Sequence, residues 1–180
     1  MFQLSTGPYS IRLTYDRLPH TYGEASRRAK IHDEIGVEDP SAGTLFCVEV
    51  AHGHGWPFLV VAQRYAPSDE CFFPGLFFAP ETHRLYIGAG TRLLAYDLRT
   101  PQRLWEDSTE PGFWTWARYE DVVIMSAELE IAAWDLEGGK LWSRPVEPPW
   151  EYEVRDGIVH LDVMGKVTEF TLHTGRVTRE

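Results

Sequence analysis

The stretch EIAAWDLEGGKLW, which runs from Glu130 to Trp142, decides the fold. A run of apolar residues ends at Asp135, a glycine-rich segment follows over residues 137–140, and a second apolar run begins at Leu141. Glycine and polar residues between two short apolar runs are typical of a turn that joins two β-strands. The stretch therefore predicts a β-hairpin.

The same pattern occurs once before and once after this stretch, as RLLAYDLRTPQRLW from Arg92 and as KVTEFTLHTGRVT from Lys166. Leu104, Leu141 and Val177 are 37 and 36 positions apart. Tyr86, Val123 and Val159 repeat the same spacings of 37 and 36. Self-similarity at a fixed period of about 20–50 residues is the signature of a repeat architecture. The sequence thus predicts three copies of one structural unit.

Each unit contains further strand signals upstream of its hairpin. In the middle unit, Phe113–Arg118 alternates large apolar residues with smaller or polar ones, and Val122–Ala127 is a continuous apolar run. Alternation indicates a half-buried strand, and a continuous run indicates a strand that is covered on both faces. Four short antiparallel strands per unit follow from this pattern.

These units resemble the blades of quinoprotein-like (PQQ-like) β-propellers, which carry a Tyr/Trp-Asp pair, a turn and a Leu-Trp pair. The first two units keep both pairs, and the third has Thr171 and Thr178 in place of Asp and Trp. Trp56–Arg64 and Leu93–Leu98 also resemble segments of an uncharacterised bacterial protein family, which implies no activity. The blade resemblance implies a scaffold only, because function resides in sites added to a fold.

The predicted fold is all-β: a partial or small β-propeller of about three to four antiparallel blades with an N-terminal strand cap. Residues 76–180 would hold the three blade repeats. Residues 1–75 would form an N-terminal β region, either a cap or a degenerate blade, with a charged loop at 24–40, in one compact domain overall. Closed propellers need about four to eight blades, so the chain would be a small ring, an open arc, or half of a ring that a second copy completes.

The net charge of the chain limits the classes of partner that it can bind. The 180 residues carry a formal net charge of −10, which argues against nucleic acid and anionic membranes, since both require a cationic face. A protein partner, of basic character, fits this charge better. No apolar run is long enough for a membrane helix and no leader is evident. We therefore expect a cytoplasmic protein, monomeric or homodimeric.

Several residues are candidates for chemistry. His52 and His54 lie in a glycine-rich loop and could ligate a divalent metal, with His83 or Asp69 as a third ligand, although a plain hairpin loop gives the same pattern. We expect no resident cofactor. PQQ is rejected because the chain is too short for the large ring that holds it and offers no vicinal cysteine pair. Neither Cys47 nor Cys71 has a context that predicts a nucleophile.

The aromatic residues outside the repeat register are candidates for partner binding. Trp56, Trp114, Trp116 and Trp150 accompany prolines in inter-blade segments. Exposed tryptophans bury a large area at a low entropic cost, whereas packing between blades is the alternative role. Asp156, Asp162 and Glu169 are expected to be solvated strand positions.

Two classes of function remain. The first is a non-catalytic protein-interaction module, such as an adaptor or a toxin-neutralising (immunity-like) protein, and it is favoured by the repeats, the acidity and the absence of a recognisable catalytic set. The alternative is an enzyme, or a binder of a small ligand or metal, that uses a central or N-terminal pocket.

Overall fold

A computed structural model describes residues 2–66 and 72–179. It is all-β apart from one short α-helix and one 3₁₀ turn within those ranges. The strands are β1 Phe2–Thr6, β2 Tyr9–Tyr15, β3 Ile31–Ile35, β4 Thr44–His52, β5 Pro57–Tyr65, β6 Gly75–Ala79, β7 Arg84–Ala89, β8 Arg92–Asp97, β9 Gln102–Ser108, β10 Phe113–Tyr119, β11 Val122–Ala127, β12 Glu130–Asp135, β13 Lys140–Pro145, β14 Trp150–Arg155, β15 Ile158–Val163, β16 Lys166–Thr171 and β17 Val177–Arg179. The helix α1 is Tyr22–Arg28, and the 3₁₀ turn is Pro40–Ala42.

Three sheets have the blade topology that the repeats predict. Their strand orders are β6-β7-β8-β9, β10-β11-β12-β13 and β14-β15-β16-β17, so each is a four-stranded meander of strands in chain order. The antiparallel registers repeat, with Val123 opposite Trp134 in the second sheet and Val159 opposite Phe170 in the third. The all-β fold with propeller-type antiparallel blades is therefore confirmed.

The Asp that recurs in the first two repeats shapes the turn after it. Asp135 Oδ1 accepts hydrogen bonds from the backbone N–H groups of Glu137 and Gly139, at 2.9 and 2.7 Å. Asp97 Oδ1 does the same for Arg99 and Thr100, at 2.8 and 3.0 Å. An Asp side chain that binds the backbone two or more residues ahead stabilises a turn without help from the core.

The N-terminal sheet differs from a blade. Its strand order is β1-β2-β4-β5-β3, and β3 runs parallel to β5. The helix α1 packs on one face of this sheet, where the fully buried Ala25 meets Cys47, Val60 and Ala62. A five-stranded mixed sheet with a helix differs from the four-stranded meander of a blade; whether it is a cap or a degenerate blade stays a prediction.

The prediction of a charged loop at 24–40 was wrong in part. The segment holds the end of α1 and the strand β3, in which Ile31 and Ile35 alternate with the exposed His32 and Glu34. Charged side chains are tolerated there because β3 is an edge strand. Its partner is β5, and the paired residues are 28 positions apart in the chain, as in Ile31 with Leu59 and Asp33 with Val61.

The chain forms two compact units. The first comprises the described residues up to Ala66 together with Tyr96–Trp105, and the second comprises residues 72–95 and 106–179. The boundary that the sequence suggests, at residue 75, coincides with the first residue of β6, and it stays a prediction. In residues 2–66 and 72–179 no helix has the length and apolarity needed to cross a membrane.

Candidate functional site

The last sheet, β14–β17, is apolar on one face and charged on the other. Along β14, Trp150, Tyr152 and Val154 pack against the core of the second unit, while Glu151 and Glu153 between them are exposed. Successive residues of a strand point to opposite faces. The sequence WEYEVR at 150–155 therefore places its apolar residues on one face and its charged residues on the other. Val159, Leu161 and Phe170 belong to the same apolar face, which packs in one cluster with Val122 and Ile124 of β11.

The charged face carries four carboxylates, which the register brings side by side. Glu151 lies directly opposite Asp162, Glu153 opposite His160, and His160 opposite Glu169. We call this surface the acidic face; its members are Glu151, Glu153, His160, Asp162, Val167 and Glu169. Like charges directly opposite each other on an antiparallel pair are destabilising. Such a pair is present at Glu151 and Asp162.

Basic residues share this surface, and the register places Arg179 of β17 opposite Glu169. Arg155 forms an ion pair with Glu153, and its hydrogen bond lowers the pKa of that carboxyl. His160 Nδ1 lies 3.4 Å from Glu169 Oε1. Neither of these two pairs involves Glu151 or Asp162. Asp162 uses Oδ1 to accept a hydrogen bond from the Gly165 N–H at 2.7 Å, which shapes the turn into β16.

Two adjoining cavities open on this surface. One, of about 320 Å³, is lined by Trp150, Met164 and the two opposed carboxylates, among others. The other, of about 390 Å³, is lined by the same two carboxylates together with Glu153, His160 and Val167. Because Glu151 and Asp162 line both cavities, they lie at the junction. The site therefore combines an apolar end with a carboxylate-lined end.

Trp150 is held rigidly at the apolar end. Its ring stacks on Trp114, with centroids 5.3 Å apart and planes 14° apart, and on Tyr152 at 6.2 Å and 28°. Its Nε1 donates a hydrogen bond to the Glu128 carbonyl at 3.0 Å. Met164, in the turn beside it, is 62% exposed. A fixed aromatic ring and an exposed thioether offer a binding surface that loses little entropy on association.

The other tryptophans that the sequence singled out lie in different settings. Trp116 is only 9% exposed and packs among Tyr86, Phe113 and Trp134, so it belongs to the core and not to a surface. Trp56 is 44% exposed, and the Arg28 guanidinium lies 4.4 Å above its ring. A partner role for Trp56, Trp114 and Trp150 stays a prediction.

His52 and His54 do not belong to any group of converging metal-ligand side chains within residues 2–66 and 72–179. His52 stacks on Phe58, with ring centroids 4.6 Å apart, and His54 lines a polar cavity of the first unit. Over residues 2–66 and 72–179, one group of possible ligands converges, namely the exposed Glu120, Asp121 and His173. Asp69 lies outside the described residues, and the metal role of His52 and His54 stays a prediction.

The sequence analysis missed Glu151, Glu153 and Met164. The signal was available for the two glutamates, because WEYEVR alternates perfectly and places both on the face opposite Trp150. Asp162 and Glu169 were expected to be solvated strand positions, and both are partly exposed on the acidic face. Cys47 is fully buried, and burial followed by the nearby Glu49 raises the pKa of its thiol to about 12.

Comparisons with known proteins give distant structural likenesses. The chain matches no protein-family model, and no curated protein sequence matches it. It is similar to BamB from Moraxella catarrhalis, at 13% identity and a TM-score of 0.40, over 81% of this chain and 47% of that one. It is also similar to Myxococcus xanthus glutaminyl cyclase (18%, TM-score 0.31, 73% and 63%). A europium-containing methanol dehydrogenase is a third (15%, TM-score 0.38, 52% and 22%). The chain spans less than two thirds of each of these structures.

Proposed function

We propose that this chain is a non-catalytic protein-interaction module, and that the acidic face binds a basic segment of a partner protein. The observation that carries the proposal is the pair Glu151 and Asp162, which lie directly opposite each other and line both cavities. A cation placed between two like charges is attracted by both, and this attraction outweighs their mutual repulsion. Bound lysine or arginine side chains would therefore be favoured at this point.

The apolar end of the site gives such a partner a hydrophobic contact. Trp150 and Met164 line the same cavity as the two carboxylates. Binding energy at protein interfaces concentrates on a few aromatic and arginine residues in desolvated pockets. A basic segment with one apolar side chain fits this arrangement, whereas a polyanion such as nucleic acid would be repelled by it.

The charges of the site suit binding better than acid–base catalysis. A general acid at neutral pH needs a raised carboxyl pKa, which burial usually supplies. Here the Arg155 hydrogen bond lowers the pKa of Glu153, which is exposed. The buried Cys47 thiol, with its raised pKa, is a poor nucleophile. These observations support a role in recognition.

The experiment is a titration with two synthetic peptides that differ only in charge. One peptide carries four arginines at alternate positions around a leucine, and the other carries citrulline in their place. We expect calorimetry at low salt to detect the arginine peptide alone. The double variant Glu151→Gln/Asp162→Asn should bind it at least tenfold more weakly, since both charges at the junction are gone.

A matched control separates the site from the overall charge. Glu38→Gln/Glu110→Gln removes two exposed carboxylates elsewhere in the chain and changes the net charge by the same amount. This control should bind within about twofold of the unmodified protein. Equal loss of binding in both double variants, or no binding of the arginine peptide at all, would refute the proposal.

A further inference from the structure

The polar cavity that His54 lines on the first unit has a volume of about 180 Å³ and shares no lining residue with the two cavities of the acidic face. It is bounded by β1, β2, β4 and the hairpin loop between β4 and β5. The lining residues that matter here are Gln3, Ser10, Arg12, Glu49, Gly53 and His54.

The register of the sheet builds the floor of this cavity. Gln3 lies opposite Arg12, and Arg12 lies opposite Glu49, so three polar side chains form one row across three strands. Gln3 Nε2 donates a hydrogen bond to Ser10 Oγ at 2.9 Å. The loop turns over the floor at Gly53, whose φ of +53° lies in the left-handed region that glycine adopts at no steric cost.

Glu49 is the unusual member of the row, because it is a carboxylate with only 2% of its surface exposed. Its Oε2 accepts a hydrogen bond from Arg12 Nη1 at 3.1 Å. Within residues 2–66 and 72–179, its other oxygen, Oε1, has no hydrogen-bond partner, and neither has the buried Nε of Arg12. Leaving a buried charged atom unsatisfied costs several times what an ordinary hydrogen bond contributes.

We propose that this cavity binds a small zwitterion of the α-amino acid class. The floor offers one positive and one negative side chain, Arg12 and Glu49, 3.1 Å apart. A ligand with a single charge would be attracted by one of these side chains and repelled by the other. A zwitterion meets both: its carboxylate accepts hydrogen bonds from Arg12 and from the Ser10 hydroxyl, and its ammonium donates to Glu49 Oε1. Because Oε1 is buried, the Arg12 side chain, which is 37% exposed, must move aside for the ammonium to reach it.

The size and surroundings of the cavity fit such a ligand. A cavity of about 180 Å³ exceeds the volume of several water molecules and accommodates a molecule of a few heavy atoms. A neighbouring cavity of about 210 Å³ shares Arg12 and His54 and ends at Trp56. An apolar side chain on the ligand would extend toward this ring, and the partly exposed indole would contribute hydrophobic contact.

The test uses glycine, L-leucine, acetate, methylammonium and acetamide as probes at matched ionic strength. Nuclear magnetic resonance follows the backbone amide signals of Gly53 and Gly55 in the full chain. We expect the two amino acids to shift these signals in a saturable way. Acetate, methylammonium and acetamide should each bind at least tenfold more weakly. None of them carries both the carboxylate that pairs with Arg12 and the ammonium that pairs with Glu49.

Variants assign the binding to the floor. Glu49→Gln should weaken glycine binding at least tenfold, while Glu38→Gln, an exposed control, should leave it within twofold. Should Glu49→Gln fail to fold, Ser10→Ala removes one donor of the carboxylate and should weaken binding about threefold or more. Acetate or acetamide binding as well as glycine, unchanged binding in the folded variants, or no shift with any probe would overturn the proposal.

Discussion

Replacing Glu151 by Gln should make the protein more stable while weakening the binding of a basic partner. Glu151 lies directly opposite Asp162 on the exposed face of β14 and β15. Side chains in such pairs are about 5 Å apart, and two unit charges at about 5 Å in bulk water repel by about 0.8 kcal/mol. Removing one charge should therefore raise the free energy of unfolding by about 0.5 kcal/mol, or the melting temperature by roughly 1–2 °C.

The assay is thermal unfolding followed by circular dichroism at low salt and at 1 M NaCl. The Debye length falls to about 3 Å at 1 M salt, which screens exposed charges at this separation, so the gain should nearly disappear there. Asp162→Asn should give a similar gain, because Asn retains the oxygen that accepts from Gly165. The double variant should gain less than the two single variants combined, since each removes the same repulsion.

Two results would refute this reasoning. A loss of stability in Glu151→Gln would show that the carboxylate contributes a favourable interaction that outweighs the repulsion. A gain that persists unchanged at 1 M NaCl would show that the effect arises from packing or strand propensity and not from charge. Either outcome would also weaken the proposal that the two carboxylates repel each other until a cation binds.

Two further predictions concern the turn aspartate and the buried thiol. Asp135→Ala should lower the free energy of unfolding by about 1–2 kcal/mol in urea denaturation, because two backbone N–H groups lose their acceptor; Asp135→Asn, which keeps an oxygen, should lose less than half as much, and equal losses would contradict the turn argument. Cys47 should react with a thiol reagent at pH 8 only after unfolding, because it is fully buried and its thiol has a pKa of about 12; rapid reaction of this position in a Cys71→Ser variant under native conditions would show that the site opens.

The repeats were predictable because the determinants of a blade are local. Trp134, Asp135 and Leu141 lie within eight consecutive residues, and their side chains define one hairpin. The strand β3 was not predictable in this way. Its residues Ile31–Ile35 are mostly charged or polar at the centre, and they become a strand only by parallel pairing with β5, which no local pattern reveals.

Trp116 shows how a single irregularity changes the fate of a side chain. In a regular strand, Trp114 and Trp116 would share a face, and the sequence pattern predicts the same role for both. The pairing of β10 with β11 shifts between Phe113 and Thr115, where a bulge changes the alternation. Phe113 and Trp116 are consequently both buried, while Trp114 remains at the surface against Trp150. The candidate site depends on this bulge, because the bulge leaves Trp114 in contact with Trp150. No pattern in the sequence predicts it.

The composition of the first unit bears on how the chain can be divided. That unit includes Tyr96–Trp105, from which the Tyr96 hydroxyl donates a hydrogen bond to Asp33 at 2.6 Å and Arg103 donates to the same carboxylate at 3.3 Å. During synthesis from the N-terminus, these bonds can form only after the segment that ends at Trp105 has emerged from the ribosome. The two units are thus interleaved along the polypeptide, and no single cut separates one from the other intact.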